Sequence, residues 1–213
     1  MKIPLDVSLD KKDFDIFLDR YHFSKGDIDD VKSLYKAINP LIAAEAFYSM
    51  DNSNIDVAID DFATCFITLG FGIDSIQDVY IEQELVMESY IIDCLASELL
   101  SKAYTAFIDL FEKKTGKFVS KIDFLGDKYP IELVEKIYQN IKPEKIKYNK
   151  SFQLIPSKTV SMLLSLYNSI SNLDVCNTCA TCKNRDCSMR KEPYVVNVGQ
   201  NTSTYGYMAI FGA

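Results

Sequence analysis

One histidine, His22, serves the whole 213-residue chain. A single imidazole cannot build a His-based metal site, and no Ser–His–Asp or Cys–His arrangement can be drawn around it. A surface or helix-end position is the expectation for it. Positive charge is also short: 23 Lys and Arg stand against 30 Asp and Glu, giving a net charge of -7 and a pI near 4.8. An acidic chain without a broad basic face is a poor nucleic-acid binder, and no nucleic-acid partner is expected. Charged or polar residues interrupt every apolar run, so no membrane span is expected. The opening Met1-Lys2-Ile3-Pro4-Leu5-Asp6 lacks the apolar stretch of a secretory signal, which makes the cytoplasm the expected location. There is no internal repeat and no low-complexity linker.

Apolar residues make up 48% and charged residues 25% of the chain, the balance of an ordinary globular protein. The length suits one main domain with a small appendage, placed at 1–172 and 173–213. Pro is missing from Ile73 to Lys114, and Gly from Ile73 to Thr115. Two helices, 73–83 and 85–114, are read there, the longer one with Ile92, Leu95, Leu99, Ala103, Ala106 and Leu110 on one face and Gly116 as its stop. Further helices are read over 10–22, 27–37 and 131–141. Strands are read over 2–8, 63–70, 118–124, 152–155 and 159–164, with two more at 194–196 and 207–211. Leu41–Tyr48 fits strand and helix equally. Gly70-Phe71-Gly72 is too short for a phosphate-binding fingerprint and reads as a turn. Asp60-Asp61 and Asp27-Asp29-Asp30 lack metal-loop spacing and read as solvated faces. The fold class is α+β: a mixed or antiparallel twisted sheet packed with helices, one of them long, plus a Cys-rich C-terminal appendage.

Six cysteines in a reducing compartment are more easily ligands or core residues than disulfides. Cys65 and Cys94 sit in apolar segments and read as core. Cys176, Cys179, Cys182 and Cys187 are spaced C-x2-C-x2-C-x4-C, which lets several thiolates converge on one metal centre. The run resembles the opening of a ferredoxin-type motif, but x4 and Ser188 replace the usual x3 and Cys-Pro. Lys183, Arg185, Arg190 and Lys191 compensate the thiolate charge. Zinc and an iron–sulfur cluster both remain open.

Three further segments carry a family resemblance: Phe66-Ile67-Thr68-Leu69-Gly70 followed by Ile73-Asp74, then Ile92-Asp93-Cys94-Leu95-Ala96-Ser97-Glu98, then Leu154-Ile155-Pro156-Ser157-Lys158-Thr159-Val160-Ser161. The second resembles an "LDAIAS" helix pattern and the third an "mxPxKSVS" strand pair. In their order, the three make the region from about Thr64 to Leu166 similar to the activation domain of vitamin B12-dependent methionine synthase, especially its small stand-alone relatives. The resemblance implies binding of S-adenosylmethionine on an R-x-x-x-G-Y motif, and presentation of the methyl donor to an oxidised cobalamin on a partner. The corresponding stretch here runs from Lys121 to Gly126 and Asp127. Lys stands in place of Arg, and a point charge replaces a two-pronged grip on a carboxylate. Asp93 and Glu98 are implied as neighbours of that pocket, with a solvent-facing helix role as the alternative.

Nothing in the chain resembles homocysteine, folate or cobalamin modules, so methyl transfer by this chain alone is not expected. The four-cysteine segment is also foreign to the domain as found in the full-length synthase. Three functions follow. The first is an accessory subunit for a corrinoid protein or split methionine synthase. The second is an iron–sulfur redox module that reduces a corrinoid. The third is a non-enzymatic scaffold with structural zinc.

Overall fold

The longest element forms where Gly and Pro are missing. In the computed structural model, which describes residues 1–126 and 128–168, helix α4 runs unbroken over Val86–Thr115. Gly116 ends it in the left-handed conformation (φ 69°), and its amide donates to the Glu112 carbonyl. Helix α3, Gly72–Glu82, precedes it. Near the N-terminus, α1 (Lys11–Arg20) opens with a capping box between Asp10 and Asp13, and buries Phe14, Phe17 and Leu18. Helix α2 (Ile28–Ile38) buries Val31, Leu34 and Ile38 at helical spacing. A fifth helix, α5, spans Leu133–Ile141. Among the described residues no helix is long and apolar enough to cross a membrane.

Five strands form one antiparallel sheet in the order β1-β2-β3-β7-β4: Lys2–Pro4, Glu45–Ser49, Phe62–Thr68, Thr159–Tyr167 and Phe118–Phe124. The central pair β3–β7 keeps one register from Phe62↔Ser165 to Thr68↔Thr159. Side chains alternate between the two faces. Ala46, Tyr48, Cys65, Ile67, Met162 and Leu164 face the core shared with α1–α4. Phe47, Phe66 and Leu163 face a second core, closed by α5. A small hairpin, β5 (Lys147–Tyr148) with β6 (Leu154–Ile155), packs on that second side through Tyr148 and Leu154. The fold is therefore α+β with an antiparallel sheet and one long helix.

Several details differ from the sequence reading. The first strand covers only Lys2–Pro4, and the ambiguous 41–48 run becomes a 3-10 turn followed by a strand starting at Glu45. On α4 the buried stripe passes from Ala103 to Phe107 and Phe111, while Leu110 is 39% exposed. The cause is aromatic packing: Tyr48 meets Phe107 at 5.8 Å and Phe111 edge-on at 5.3 Å. The β5 strand and its pairing with β6 were absent from the sequence reading. The expected boundary at 172/173 and the strands at 194–196 and 207–211 lie outside the described residues.

Charge is segregated along the chain. No Lys or Arg occurs between Lys36 and Lys102, a stretch that holds β2, β3, α3 and half of α4.

Candidate functional site

The turn Pro156-Ser157-Lys158, between β6 and β7, is where three distant segments meet. The Lys158 ammonium lies 2.9 Å from the Asp93 carboxylate and donates to the Ser97 hydroxyl at 2.9 Å, both on α4. The Lys158 carbonyl accepts from the Leu69 amide at 3.0 Å. The Ser157 amide donates to Asp74 at 2.9 Å, and its hydroxyl also donates to that carboxylate. Thr159 donates to Thr68 at 2.8 Å. The segments 66–74, 92–98 and 154–161, which carry the family resemblance, thus form one hydrogen-bonded junction. Ile155–Pro156 is a cis peptide at its centre. Asp74, Asp93 and Lys158 engage one another's segments, so their pattern in the sequence has a structural role.

The expected site residues are split by this arrangement. Lys121 and Asp123 on β4 pair with Ser165 and Leu163 on β7, which puts their side chains on the sheet's second face. Asp93 and Glu98 belong to α4, on the first. Glu98 is not solvent-facing: it is 5% exposed and forms a buried ion pair with Arg20 of α1. Burial, and after it the Glu98 carboxylate, pushes the neighbouring Tyr21 phenol up. Glu98 therefore ties α4 to α1 and does not adjoin Lys121. The Lys121 ammonium lies 2.6 Å from the Asp123 carboxylate, with Lys128 at 3.8 Å from the same group. Four residues separate Lys121 from Gly126, one more than an R-x-x-x-G spacing allows. Gly126 adopts φ 92°, which favours glycine, and its amide donates to the Tyr129 carbonyl at 2.8 Å. Asp127 and the four cysteines at 176, 179, 182 and 187 lie outside the described residues. Among the described residues no group of three or more potential metal ligands converges.

Cys65 and Cys94 are buried free thiols, as expected for core residues, and burial pushes both thiols up. His22 is exposed just after α1. Asp61 pairs with Lys117 at 2.7 Å rather than standing alone.

Beyond the end of β4 lies a pocket of about 380 Å3. Phe124 and Leu125, from the Lys121–Gly126 stretch, form one wall; Ile131 and Val134 from the start of α5 form another; Phe152 and Leu154 close it from the hairpin. Thr159 and Ser161 of β7 add hydroxyls, and none of the described residues that line it is charged. Sequence reasoning missed this pocket. The only trace of it was the alternation of Thr159, Ser161 and Ser165 along a strand whose other face is apolar.

No family model matches this chain, and no curated protein matches it. Among solved structures it is similar to the crystal structure of the MetH reactivation domain bound to AdoHcy, at 11% identity and a TM-score of 0.48, covering 78% of this chain and 77% of that chain.

Proposed function

We propose that this chain is an accessory subunit of a cobalamin-dependent methyltransferase system, taking an S-adenosyl methyl donor beside the Lys121–Gly126 stretch. The observation that carries the reading is the junction at Pro156–Lys158. Three segments that resemble the methionine synthase activation domain meet there through named hydrogen bonds, next to a ligand-sized pocket whose wall includes Phe124 and Leu125. In this reading Lys121 supplies a point charge for the donor's carboxylate, in competition with Asp123. The partner is a corrinoid protein or a split methionine synthase. Titration calorimetry of the anaerobically purified chain with S-adenosylmethionine tests the proposal. Saturable binding that weakens in Lys121→Ala is expected; no heat at high micromolar protein would count decisively against a donor site.

The spacing of Cys176, Cys179, Cys182 and Cys187 favours a second reading: an iron–sulfur module that passes one electron to a corrinoid, or a scaffold stapled by zinc. Metal analysis and the visible spectrum separate these. A brown protein that bleaches on reduction marks the cluster; a colourless one with bound zinc marks the staple. Cys179→Ser is expected to lower the metal content in either case, and fresh wild-type protein without metal would end this reading.

A further inference from the structure

We infer that the tip of the α3–α4 helical hairpin is a docking surface for a partner protein whose contact face is apolar at its centre and basic at its rim. The inference stands apart from the donor reading, because it uses no residue of the Lys121–Gly126 stretch. Three observations carry it. The first is exposed apolar surface. The tip presents Val79, Ile81, Leu85, Val86, Met87 and Tyr90 to solvent, with Ile81 57%, Met87 63% and Val86 69% exposed. A tight turn gathers them. The Gln83 amide donates to the Val79 carbonyl at 3.2 Å, the Glu84 amide to the Ile81 carbonyl at 3.0 Å, and the Leu85 amide to the Tyr80 carbonyl at 2.9 Å. Single exposed apolar side chains are ordinary, but a contiguous group of them marks a contact surface.

The second is how α4 begins. Its first residues are Val86 and Met87, and Leu85 stands at the cap position, where Ser, Thr, Asp or Asn ordinarily satisfies the free backbone amides. Leu85 makes no side-chain cap hydrogen bond. The chain forgoes a local stabilising contact and shows apolar side chains to water instead. Departures from local rules of this kind are expected at functional surfaces.

The third is charge. Asp78, Glu82, Glu84 and Glu88 each adjoin one of the exposed apolar residues in the chain. None of the four makes an ion pair among the described residues. Glu88 has a local reason, since it lies in the first turn of α4, where the helix dipole favours an acid. Asp78 and Glu82 have none. They are like charges one turn apart on α3, and Glu82 is its last residue, at the negative end of the dipole. A basic rim on a partner would turn this repulsion into attraction. A second copy of the chain would set the same acids against each other, and an anionic lipid surface would repel them.

The test uses the full chain and a synthetic amphipathic helix of leucine and lysine, which offers an apolar face between basic flanks; a leucine–glutamate counterpart is the control. Saturable amide shifts confined to residues 79–90 are expected with the lysine peptide alone, and affinity is expected to fall about tenfold between ~50 and ~300 mM salt. A Val86→Ser, Met87→Ser double variant is expected to weaken binding about tenfold at an unchanged thermal midpoint, because both side chains are exposed. Asp78→Asn with Glu82→Gln is expected to weaken it about fivefold while the midpoint holds or rises, an outcome that a structural role for these acids would not give. Glu84→Gly, at a φ of 61° that suits glycine, is expected to weaken it about twofold without loss of fold. Equal binding of the two peptides, shifts elsewhere, or no shift at millimolar peptide would overturn the proposal. So would a dimer in sedimentation, or partition onto phosphatidylcholine vesicles, that the Val86→Ser, Met87→Ser variant abolishes. Nuclear Overhauser contacts from the Val86 or Met87 methyls to residues 169–213 would assign the patch to the chain itself and overturn it as well.

Discussion

Gly72 starts α3 against the chain that leads into β2, and it has no room for a side chain. A Cβ there would stand 2.2 Å from the Leu41 carbonyl oxygen and 2.8 Å from the Leu41 Cβ. The contact is with backbone, which cannot rotate away. Gly72→Ala is therefore expected to destabilise the fold by about 1–3 kcal/mol, measured by urea unfolding. Glu98 poses the opposite problem, a charge where water is scarce. Its side chain is 7% exposed and that of Arg20 is 12% exposed. Removing one partner strands the other, so Glu98→Ala is expected to cost about 3–5 kcal/mol, whereas a paired Arg20→Met, Glu98→Leu replacement stays near wild type. A double-mutant cycle by chemical denaturation checks this. Equal losses in the single and double variants would show that the pair has no such role.

At the scale of elements, local pattern was legible where one segment decides its own structure. Helices α3 and α4 were readable because the chain excludes Gly and Pro there, and β3 because β-branched and aromatic residues alternate with a glycine turn at its end. The lower part of the α4 stripe was not readable, because Tyr48 on β2 selects Phe107 and Phe111 over Ala106 and Leu110. That choice has a measurable consequence. Phe111→Ala is expected to cost about 3–5 kcal/mol, and Leu110→Glu to stay within about 0.5 kcal/mol, by thermal or urea unfolding. The strand read over 152–155 contains β6, but β5 and the hairpin pairing were invisible because β5 is two residues long and the register depends on the Asn149 turn. The candidate site was legible only at one edge. Lys121 lies within β4 and Gly126 just beyond it, but Phe152 and Ser161 come to the same pocket only when the hairpin and β7 fold against α5. Glu98 was misplaced for a related reason: helical spacing puts it near Asp93 but does not reveal that Arg20 waits on α1.

For the molecule as a whole, a few carboxylates join parts that are far apart in the chain. Glu45 on β2 lies 2.9 Å from Lys2 and 3.3 Å from Lys145, and Asp13 on α1 lies 2.7 Å from Lys102 on α4. Burial raises both carboxyl pKa values, but the lysines and hydrogen bonds outweigh it and hold them below the usual carboxylate range. A carboxyl lowered on folding stabilises the folded state above its unfolded pKa, about 4, and that contribution fades as the pH falls through the lowered folded value. Unfolding free energy is expected to decline with acid below about pH 4, with a shallower slope in a Glu45→Gln, Asp13→Asn double variant. Urea unfolding across a pH series measures this; identical slopes would refute it. The charge-segregated stretch has a further consequence for anyone who probes the fold with proteases. Trypsin finds nothing to cut between Lys36 and Lys102, so β2, β3, α3 and half of α4 leave any digest as one peptide, folded or not. Local opening around the central strands is silent to that enzyme, and cleavage at the carboxylates or aromatic residues of the same stretch is needed to report it.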